Sequence, residues 1–358
     1  MEKIRIANRW IGEGCPVFII AEAGVNHNGK LSLAKELVDI AREAGADAVK
    51  FQTFKAEDLV IRNTAKAEYQ KEHSQGRTQF EMLKKLELKY QDFEILKKHC
   101  DRRKIIFLST PHTEGAVDFL EDLVPAYKIA SSDLTNLPLL EKVAGKKKPI
   151  LLSTGMSTLK EVGDAVRVIR EKGNKKIILL HCVSSYPASI EDVNLLAIEV
   201  LQDEFGSIVG FSDHTEGTLA SIVAVALGAK VIEKHFTLDK NNLLGPDHKI
   251  SLHPNQLKTW VKTIRDTETS LGSAFKKPTR SEKEIVKIGR KSIVTKVDIP
   301  KNILISEEML TIKRPGVGIQ PKLLKSVIGK RTRVYIECDK PIMPNMLENF
   351  RIRNRKIA

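Results

Sequence analysis

Short apolar runs recur along most of the chain, and amphipathic segments separate them. Eight of the runs are rich in branched and aromatic residues, as buried strands are, and they span 17–24, 46–53, 104–110, 126–131, 149–155, 176–183, 208–213 and 230–237. Between the first two runs, residues 31–45 place apolar side chains at helical spacing and end at Gly45. Strands that alternate with helices predict βαβ units and a parallel sheet.

The number of these units indicates the fold class. Eight strands separated by helices over about 250 residues predict a (β/α)8 TIM barrel. A doubly wound open sheet is the alternative, but the first strand is not followed by the GxGxxG turn typical of a dinucleotide-binding sheet. We therefore predict a barrel over residues 1–275.

The pattern changes towards the end of the chain. Residues 276–290 are charged and contain a proline, which predicts a linker. Shorter strand-like runs follow in residues 291–350 and predict a small second domain, one that is too small to be expected to function undocked. Residues 351–358 form a basic tail.

Charge is distributed unevenly between these parts. The chain of 358 residues has 59 Lys and Arg against 45 Asp and Glu, a net charge of +14. Residues 276–358 hold 21 of these bases and 8 of the acids, a net of +13, so the remaining 38 bases and 37 acids leave +1 for the barrel. Such a basic end suits an anionic substrate, an anionic surface or nucleic acid. No nucleic-acid-binding motif accompanies it, so we expect no nucleic-acid partner.

Cysteine spacing and hydropathy restrict the kinds of site and the cellular compartment that we expect. The four cysteines lie far apart without a CxxC pair, which argues against a zinc knuckle or a disulfide scaffold. No apolar run approaches the roughly 20 residues of a membrane span, and no signal peptide is evident. We expect a cytoplasmic protein with no membrane partner.

Polar residues collect where the predicted strands end, which is the active-site face of a TIM barrel. Lys50 and Lys128 occupy comparable strand positions, and a lysine inside a barrel needs an anionic partner. Serines end several strands, and their hydroxyl groups together with the lysine ammonium groups are the donors that bind a phosphate. The plainer interpretation is that the lysines lie at strand edges and the serines cap the following helices.

His214 and His235 end adjacent predicted strands, 21 positions apart. Each could be structural, but two such histidines can also meet on one metal ion. The surroundings are rich in oxygen and lack a thiolate cluster, which favours Mn²⁺ or a similar divalent ion over structural zinc.

The motifs at these strand ends resemble one known family over nearly the whole chain. The sequence IAEAGVNHNGKLSLAKELVDIAREAGADAVKFQTFKAEDLV, followed by FLSTP, KIASSDLTNLPLL, LLSTGMSTL, HCVSSYPAS, GFSDHT, EKHFTLD and GPDH, closely resembles the sialic acid synthases. The later KRPGVGI resembles their C-terminal antifreeze-like domain, a SAF domain of the β-clip type.

The resemblance implies an activity. Sialic acid synthases condense phosphoenolpyruvate with the aldehyde form of an N-acetylated hexosamine and water, and they release phosphate. They use a divalent metal, commonly Mn²⁺, with Mg²⁺ or Co²⁺ as alternatives, to polarise the aldehyde. N-acetylmannosamine is the expected acceptor, which would give N-acetylneuraminate. The alternative acceptor is 2,4-diacetamido-2,4,6-trideoxymannose, which would give N,N'-diacetyllegionaminate.

The resemblance also implies roles for individual residues. Metal ligands would be His214 and His235, and Glu22 would be an acid or base beside them. The phosphoenolpyruvate cradle would comprise Lys50, Thr110, Lys128, Ser131, Ser153, Ser184 and Ser212. Contacts to the sugar would come from Gln52, Tyr186, Asp247 and Arg314, the last lent by the antifreeze-like domain across a domain-swapped homodimer. Two positions differ from many relatives: Asp133 replaces Glu, and Ser184 replaces Asn.

Two other functions remain open at this point. A metal-dependent pyruvate aldolase would share the barrel but would not need the paired lysines and the serines. A binder of nucleic acid or an anionic surface would use the basic end of the chain, and its binding would weaken with salt. Ice binding by the second domain is disfavoured because its surface is charged.

Overall fold

The computed structural model describes residues 2–240 and 243–351, apart from the side chains of residues 69, 72 and 73. The predicted basic tail, except for its first residue, lies outside the described residues. The chain divides into two compact units, Met1–Gly272 and Ser273–Ala358. No helix among the described residues combines the length and the apolar character needed to cross a membrane.

The first unit is built around an eight-stranded parallel sheet. The unit begins with a separate hairpin of β1 (Ile4–Ile6) and β2 (Arg9–Ile11). The strands of the sheet follow in chain order: β3 (Phe18–Gly24), β4 (Ala48–Thr53), β5 (Ile106–Pro111), β6 (Tyr127–Ile129), β7 (Ile150–Ser153), β8 (Ile177–Cys182), β9 (Ile208–Asp213) and β10 (Val231–His235). The order in the sheet is β5-β4-β3-β10-β9-β8-β7-β6, and the two end strands pack side by side. The sheet is thus a nearly closed barrel, which confirms the predicted TIM fold.

Helices separate the strands. They are α1 (Leu31–Ala44), α2 (Ala56–Leu59), α3 (Glu68–His73), α4 (Gln79–Leu86), α5 (Tyr90–Arg103), α6 (Glu114–Leu120), α7 (Leu137–Gly145), α8 (Leu159–Glu171), α9 (Ala197–Phe205), α10 (Leu219–Ala226) and α11 (Pro254–Leu271). Helix α1 ends at Gly45, whose φ of 87° places it in the left-handed region that glycine adopts without strain. Helix α8 begins with a reciprocal cap between Thr158 and Glu161.

Two apolar layers hold the barrel together. The larger one lies between strands and helices and includes Phe51, Phe93 and Trp260, all almost fully buried. The second lies inside the barrel, where Ile4, Ile6 and Ile11 of the hairpin pack with Phe18, Ile20, Ala48, Leu108, Ala126, Leu151, Ile178, Leu180, Ile208 and Val231. The hairpin residues therefore seal the end at which the strands begin, and the functional face is left at the opposite end.

A buried carboxylate ties distant parts of the unit together. Asp47, just before β4, accepts a hydrogen bond from the Ile19 backbone amide at 2.9 Å. The same oxygen, Oδ2, lies 2.7 Å from Nη2 of Arg265 in α11, and Arg9 in β2 binds the other oxygen. The two arginines and the backbone amide satisfy a charge that would otherwise be costly to bury.

The second unit has its own small apolar core. It contains α12 (Glu282–Gly289), β11 (Ser292–Thr295), β12 (Leu310–Lys313) and α13 (Leu324–Val327), with β11 and β12 antiparallel. Ile293, Ile299, Leu310 and Ile342 are among the residues of its core. Helix α12 falls inside the segment predicted as a linker. It forms there because Thr279 and Glu282 cap each other's backbone amides, a signal that the charge and proline content had obscured.

Candidate active site

A cavity of about 530 Å³ opens at the end of the barrel where the strands finish. This volume lies within the roughly 300–1,000 Å³ that is typical of small-molecule sites. Every site residue predicted in the first unit lines this cavity: Glu22, Lys50, Gln52, Thr110, Lys128, Ser131, Ser153, Ser184, Tyr186, Ser212, His214, His235 and Asp247. The strand register brings them together, since side chains two positions apart on a strand share a face.

Two carboxylates and two lysines occupy the centre of the cavity. Lys50 Nζ lies 2.9 Å from Glu22 Oε1, and both side chains are almost fully buried. Glu233 lies between the lysines, with its Oε1 atom 3.7 Å from Lys50 Nζ and 3.6 Å from Lys128 Nζ. Parallel pairing sets this arrangement, because β3 aligns Glu22 with Lys50 on one side and with His235 on the other.

The same cluster separates the pKa values of its members. Burial raises the pKa of Glu22 to about 7, even though Lys50 acts in the opposite direction. Glu233 is equally buried, but the two lysines outweigh the effect of burial and lower its pKa. Burial lowers the pKa of Lys128 despite the nearby Glu233. Two adjacent carboxyl groups with opposite pKa shifts are a pattern found where one group carries a proton and the other a charge.

Hydroxyl groups surround the lysines. Lys50 Nζ donates to Thr110 Oγ1 at 3.2 Å, and Lys128 Nζ donates to Ser153 Oγ at 2.7 Å. Ser212 Oγ donates to Glu233 Oε1 at 3.0 Å. These are the donors that an anion with several oxygen atoms would require.

Gly155 allows a close approach of two further serines. A Cβ atom built on it would collide with Ser184 Oγ and lie 2.8 Å from Ser131 Oγ. The Gly155 amide donates to Ser131 Oγ at 3.0 Å. Gly155 therefore packs directly against the hydroxyl groups of Ser131 and Ser184, and a larger residue at this position would displace them.

The two histidines lie side by side, with ring centroids 5.5 Å apart. His214 Nδ1 donates to the Val183 carbonyl at 2.8 Å, which leaves Nε2 as the atom with a lone pair. His235 Nδ1 is buried without a hydrogen-bond partner. Burial, reinforced by His214 and Lys50, lowers the pKa of His235 well below its ordinary value. A neutral imidazole with an unused nitrogen is the form that binds metal ions.

These features fit a divalent cation held in part by the protein. The described residues contain no group of three or more His, Cys, Asp or Glu side chains arranged as a complete metal site. Two histidines supply two ligands, so the remaining positions would be available to water and substrate, as in catalytic metal sites. The sequence-based expectation of two histidine ligands remains a prediction.

Asp247 and Gln52 lie close to Glu22, around Gly24. A Cβ atom on Gly24, whose φ is 52°, would lie 3.3 Å from both Gln52 Nε2 and Glu22 Oε1 and 3.5 Å from Asp247 Oδ2. Asp247 Oδ2 is 3.9 Å from His235 Nδ1, too far for a hydrogen bond. Burial raises the pKa of Asp247 to about 6. These side chains form a second polar group, separate from the serines.

Side chains that the sequence analysis missed hold this region in place. Asn26 Nδ2 donates to Ser251 Oγ, which in turn donates to the Asp247 carbonyl at 2.6 Å. His248 is hydrogen-bonded to both Thr237 and Asn28. Glu233 was also missed as a site residue, although its position two residues before His235 on the same strand was the signal for it.

Three further residues are not among the described residues that line the cavity. Arg314 belongs to the second unit, where a cis peptide bond links it to Pro315. Asp133 is mostly buried, and its carboxylate lies 3.2 Å from His112 Nδ1. His181 is hydrogen-bonded to the Val193 carbonyl and stacks on Phe211, contacts that suit a structural role.

Comparison with known proteins gives consistent matches. The NeuB family profile matches residues 37–276, and the SAF domain profile matches residues 290–348. N,N'-diacetyllegionaminic acid synthase of Legionella pneumophila is 48% identical over 343 residues, which are 94% of this chain and 96% of that protein. Human N-acetylneuraminate-9-phosphate synthase is 38% identical over 95% of each chain. The crystal structure of N-acetylneuraminic acid synthetase from Leptospira borgpetersenii in complex with citrate shares 36% identity with a TM-score of 0.72, and the match covers 80% of this chain and 95% of that one.

Proposed function

The chain belongs to the NeuB family of phosphoenolpyruvate-dependent synthases, which form a carbon–carbon bond, and on this premise we propose the course of its reaction and its substrates. The methylene carbon of phosphoenolpyruvate attacks the aldehyde carbon of an open-chain acetamido sugar. Water adds to the adjacent carbon of the former enol, and phosphate leaves as its C–O bond breaks. The products are a nine-carbon 2-keto acid and inorganic phosphate.

One observation carries the proposal: Lys50 and Lys128 are both buried in one cavity with a ring of hydroxyl groups. Phosphoenolpyruvate is strongly anionic, and in a partly desolvated pocket each charge-assisted hydrogen bond contributes about 1.5–3 kcal/mol. Ser131, Ser153 and Ser184 would hold its phosphate and carboxylate oxygens. A pyruvate aldolase would need neither the second lysine nor these serines, and family membership also speaks against that alternative.

The acidic residues would serve the water and the acceptor. Glu22, with a pKa near 7, is suited to accept a proton from the attacking water near neutral pH. Glu233 keeps its charge and holds both lysines in place. A divalent cation, Mn²⁺ or alternatively Mg²⁺ or Co²⁺, held by His214 and His235 would act as a Lewis acid on the aldehyde oxygen. Gln52, Asp247 and Tyr186 would orient the sugar, with the Tyr186 ring tilted by 33° against the His214 ring at a centroid distance of 4.3 Å.

For the acceptor we propose 2,4-diacetamido-2,4,6-trideoxymannose, with N-acetylmannosamine as the second candidate. The relative named N,N'-diacetyllegionaminic acid synthase is 48% identical, whereas the relative named N-acetylneuraminate-9-phosphate synthase is 38% identical. Arg314 would contribute to the acceptor site from the partner in a domain-swapped homodimer.

Phosphate release tests the reaction. Purified protein with Mn²⁺ and phosphoenolpyruvate should release phosphate only when an acetamido aldose is present, and mass spectrometry should detect the nine-carbon acid. Lys128→Met should raise the KM for phosphoenolpyruvate more than the KM for the acceptor. Phosphate release that is independent of an acceptor would contradict the proposal.

A further inference from the structure

The active-site cavity has a second end, at which the described lining residues are uncharged. It is lined by an apolar wall, which we define as Val25, Phe54, Leu59, Met82 and Leu83. Val25, Phe54 and Met82 are each 3% exposed and form one cluster with Leu86, against which the half-buried Leu59 and Leu83 pack. The polar chemistry described above makes no use of this wall.

The position of the wall relates it to the acceptor rather than to phosphoenolpyruvate. Val25 directly follows β3, which carries Glu22, and Phe54 directly follows β4, which carries Gln52. Ser131, Ser153, Ser184 and Ser212 belong to β7, to β9 or to the connections after β6 and β8, on the other side of the barrel. The wall therefore continues the half of the cavity that contains Gln52 and Asp247.

The charges in the cavity are confined to its polar end. Lysines among the described lining residues are limited to Lys50, paired with Glu22 and Glu233, and Lys128, paired with Glu233, and arginine does not occur among those residues. Among the residues between positions 54 and 83 whose side chains are described, those that line the cavity are uncharged: Phe54, Leu59, Val60, Ala67, Gln70, Gln79, Met82 and Leu83. A phosphate group at this end would lose hydration without a cation in this lining to compensate. A methyl group there would be favoured by burial.

We propose that the apolar wall determines acceptor specificity: it receives the end of the open-chain sugar farthest from the aldehyde and selects a deoxygenated, uncharged end. This inference rests on the proposed condensation reaction. The five residues of the wall would thus distinguish an acceptor that ends in a methyl group from one that ends in a hydroxymethyl group or in a phosphate.

The first test compares three acceptors at saturating phosphoenolpyruvate in the phosphate-release assay. The trideoxy sugar, 2,4-diacetamido-2,4,6-trideoxymannose, should exceed N-acetylmannosamine in kcat/KM by about tenfold or more, as expected for a pocket that discriminates by apolar contact. N-acetylmannosamine 6-phosphate should be the poorest of the three. A wild-type enzyme that prefers the phosphorylated sugar would overturn the role of the wall and leave the condensation reaction intact. No phosphate release with any acceptor would instead refute the proposed function, and this inference with it.

The second test places a cation in the wall. Leu59→Lys should raise the kcat/KM for N-acetylmannosamine 6-phosphate relative to N-acetylmannosamine by about tenfold or more, the effect of one charge-assisted contact. Ile61→Lys is the matched control. Ile61 is 79% exposed and is not among the residues that line the cavity, so this substitution adds the same charge two residues away but outside the site. Leu83→Lys on α4 is a second variant if Leu59→Lys does not fold. Equal changes in wall and control variants would overturn the inference.

Discussion

Lys50 Nζ and Glu22 Oε1 lie 2.9 Å apart in the interior of the barrel, where neither side chain is more than 4% exposed. A substrate anion therefore meets a lysine that already has a partner. Binding has to redistribute the charge among Lys50, Glu22 and Glu233, so the protonation of Glu22 is coupled to the state of the site.

The pH dependence of the reaction should reveal Glu22. Its pKa is raised to about 7, so the carboxylate form is lost as the pH falls through 7. If the carboxylate accepts the proton of water, kcat should fall on the acidic side of pH 7. Glu22→Gln should remove this limb and lower kcat by about 100-fold or more. Glu216→Gln is the control, since Glu216 is exposed and outside the cavity lining. An acidic limb that persists in Glu22→Gln would assign it to another group.

A side chain at position 155 should affect the binding of phosphoenolpyruvate more than that of the acceptor. Gly155→Ala introduces a Cβ atom into the position between Ser131 and Ser184. We expect the KM for phosphoenolpyruvate to rise about tenfold or more, corresponding to the loss of one charge-assisted contact, with a smaller change in the acceptor KM. Gly115→Ala in α6 is the control, because a Cβ atom there meets nothing within 4 Å. Equal changes in both KM values would show that the glycine serves the fold instead.

Metal binding should depend on His235. Treatment with a chelator should abolish activity, and Mn²⁺ should restore it. Loss of a residue that only supports a metal ligand costs about 10- to 100-fold in metal affinity, so loss of a ligand in His235→Ala should weaken Mn²⁺ binding at least 100-fold in a direct titration. His253→Ala, at the start of α11, should leave the titration unchanged. Full activity of the doubly substituted His214→Ala/His235→Ala protein without metal would refute the metal site.

Complementation tests whether Arg314 acts on a partner's site. Arg314→Ala and Lys50→Ala proteins should each be nearly inactive alone. After subunit exchange, a mixed dimer holds one intact site if the arginine acts across the dimer, so part of the activity should return. Lys313→Ala serves as control, since Lys313 is paired with Asp339 and its loss should matter little. Demonstrated exchange without recovery would mean that Arg314 acts within its own chain or has no role in catalysis.

The sequence was sufficient for the barrel because its strands are apolar runs with clear helical segments between them. It also placed the site residues of the first unit on one face, since in a parallel barrel the ends of all strands meet. The roles of individual residues within the family's motifs came from the resemblance and not from periodicity.

Other parts of the site could not be obtained from one sequence. The position of Glu233 two residues before His235 indicated that it faces the site, but a glutamate within a strand does not reveal that it lies between two lysines from distant strands. Asn26 is hydrogen-bonded to Ser251, which is 225 positions away, and His248 is hydrogen-bonded to Asn28, which is 220 positions away. Contacts over such distances in the chain cannot be read from one sequence. Helix α12 was missed because its cap consists of a Thr and a Glu within a segment whose charge and proline suggested a linker.

Asp47 bears on how the protein is made. Its partners come from opposite ends of the first unit, Arg9 in the hairpin and Arg265, which is 218 positions further along than Asp47 itself. On the ribosome, a nascent chain that has emerged only as far as β10 lacks Arg265 and leaves this carboxylate incompletely neutralised. Because α11 is the last helix of the first unit to be made, the contact to Arg265 can form only after this helix has left the exit tunnel. Until then Arg9 and the Ile19 amide are the partners available to Asp47, so the contacts of this carboxylate are completed only at the end of the synthesis of the first unit.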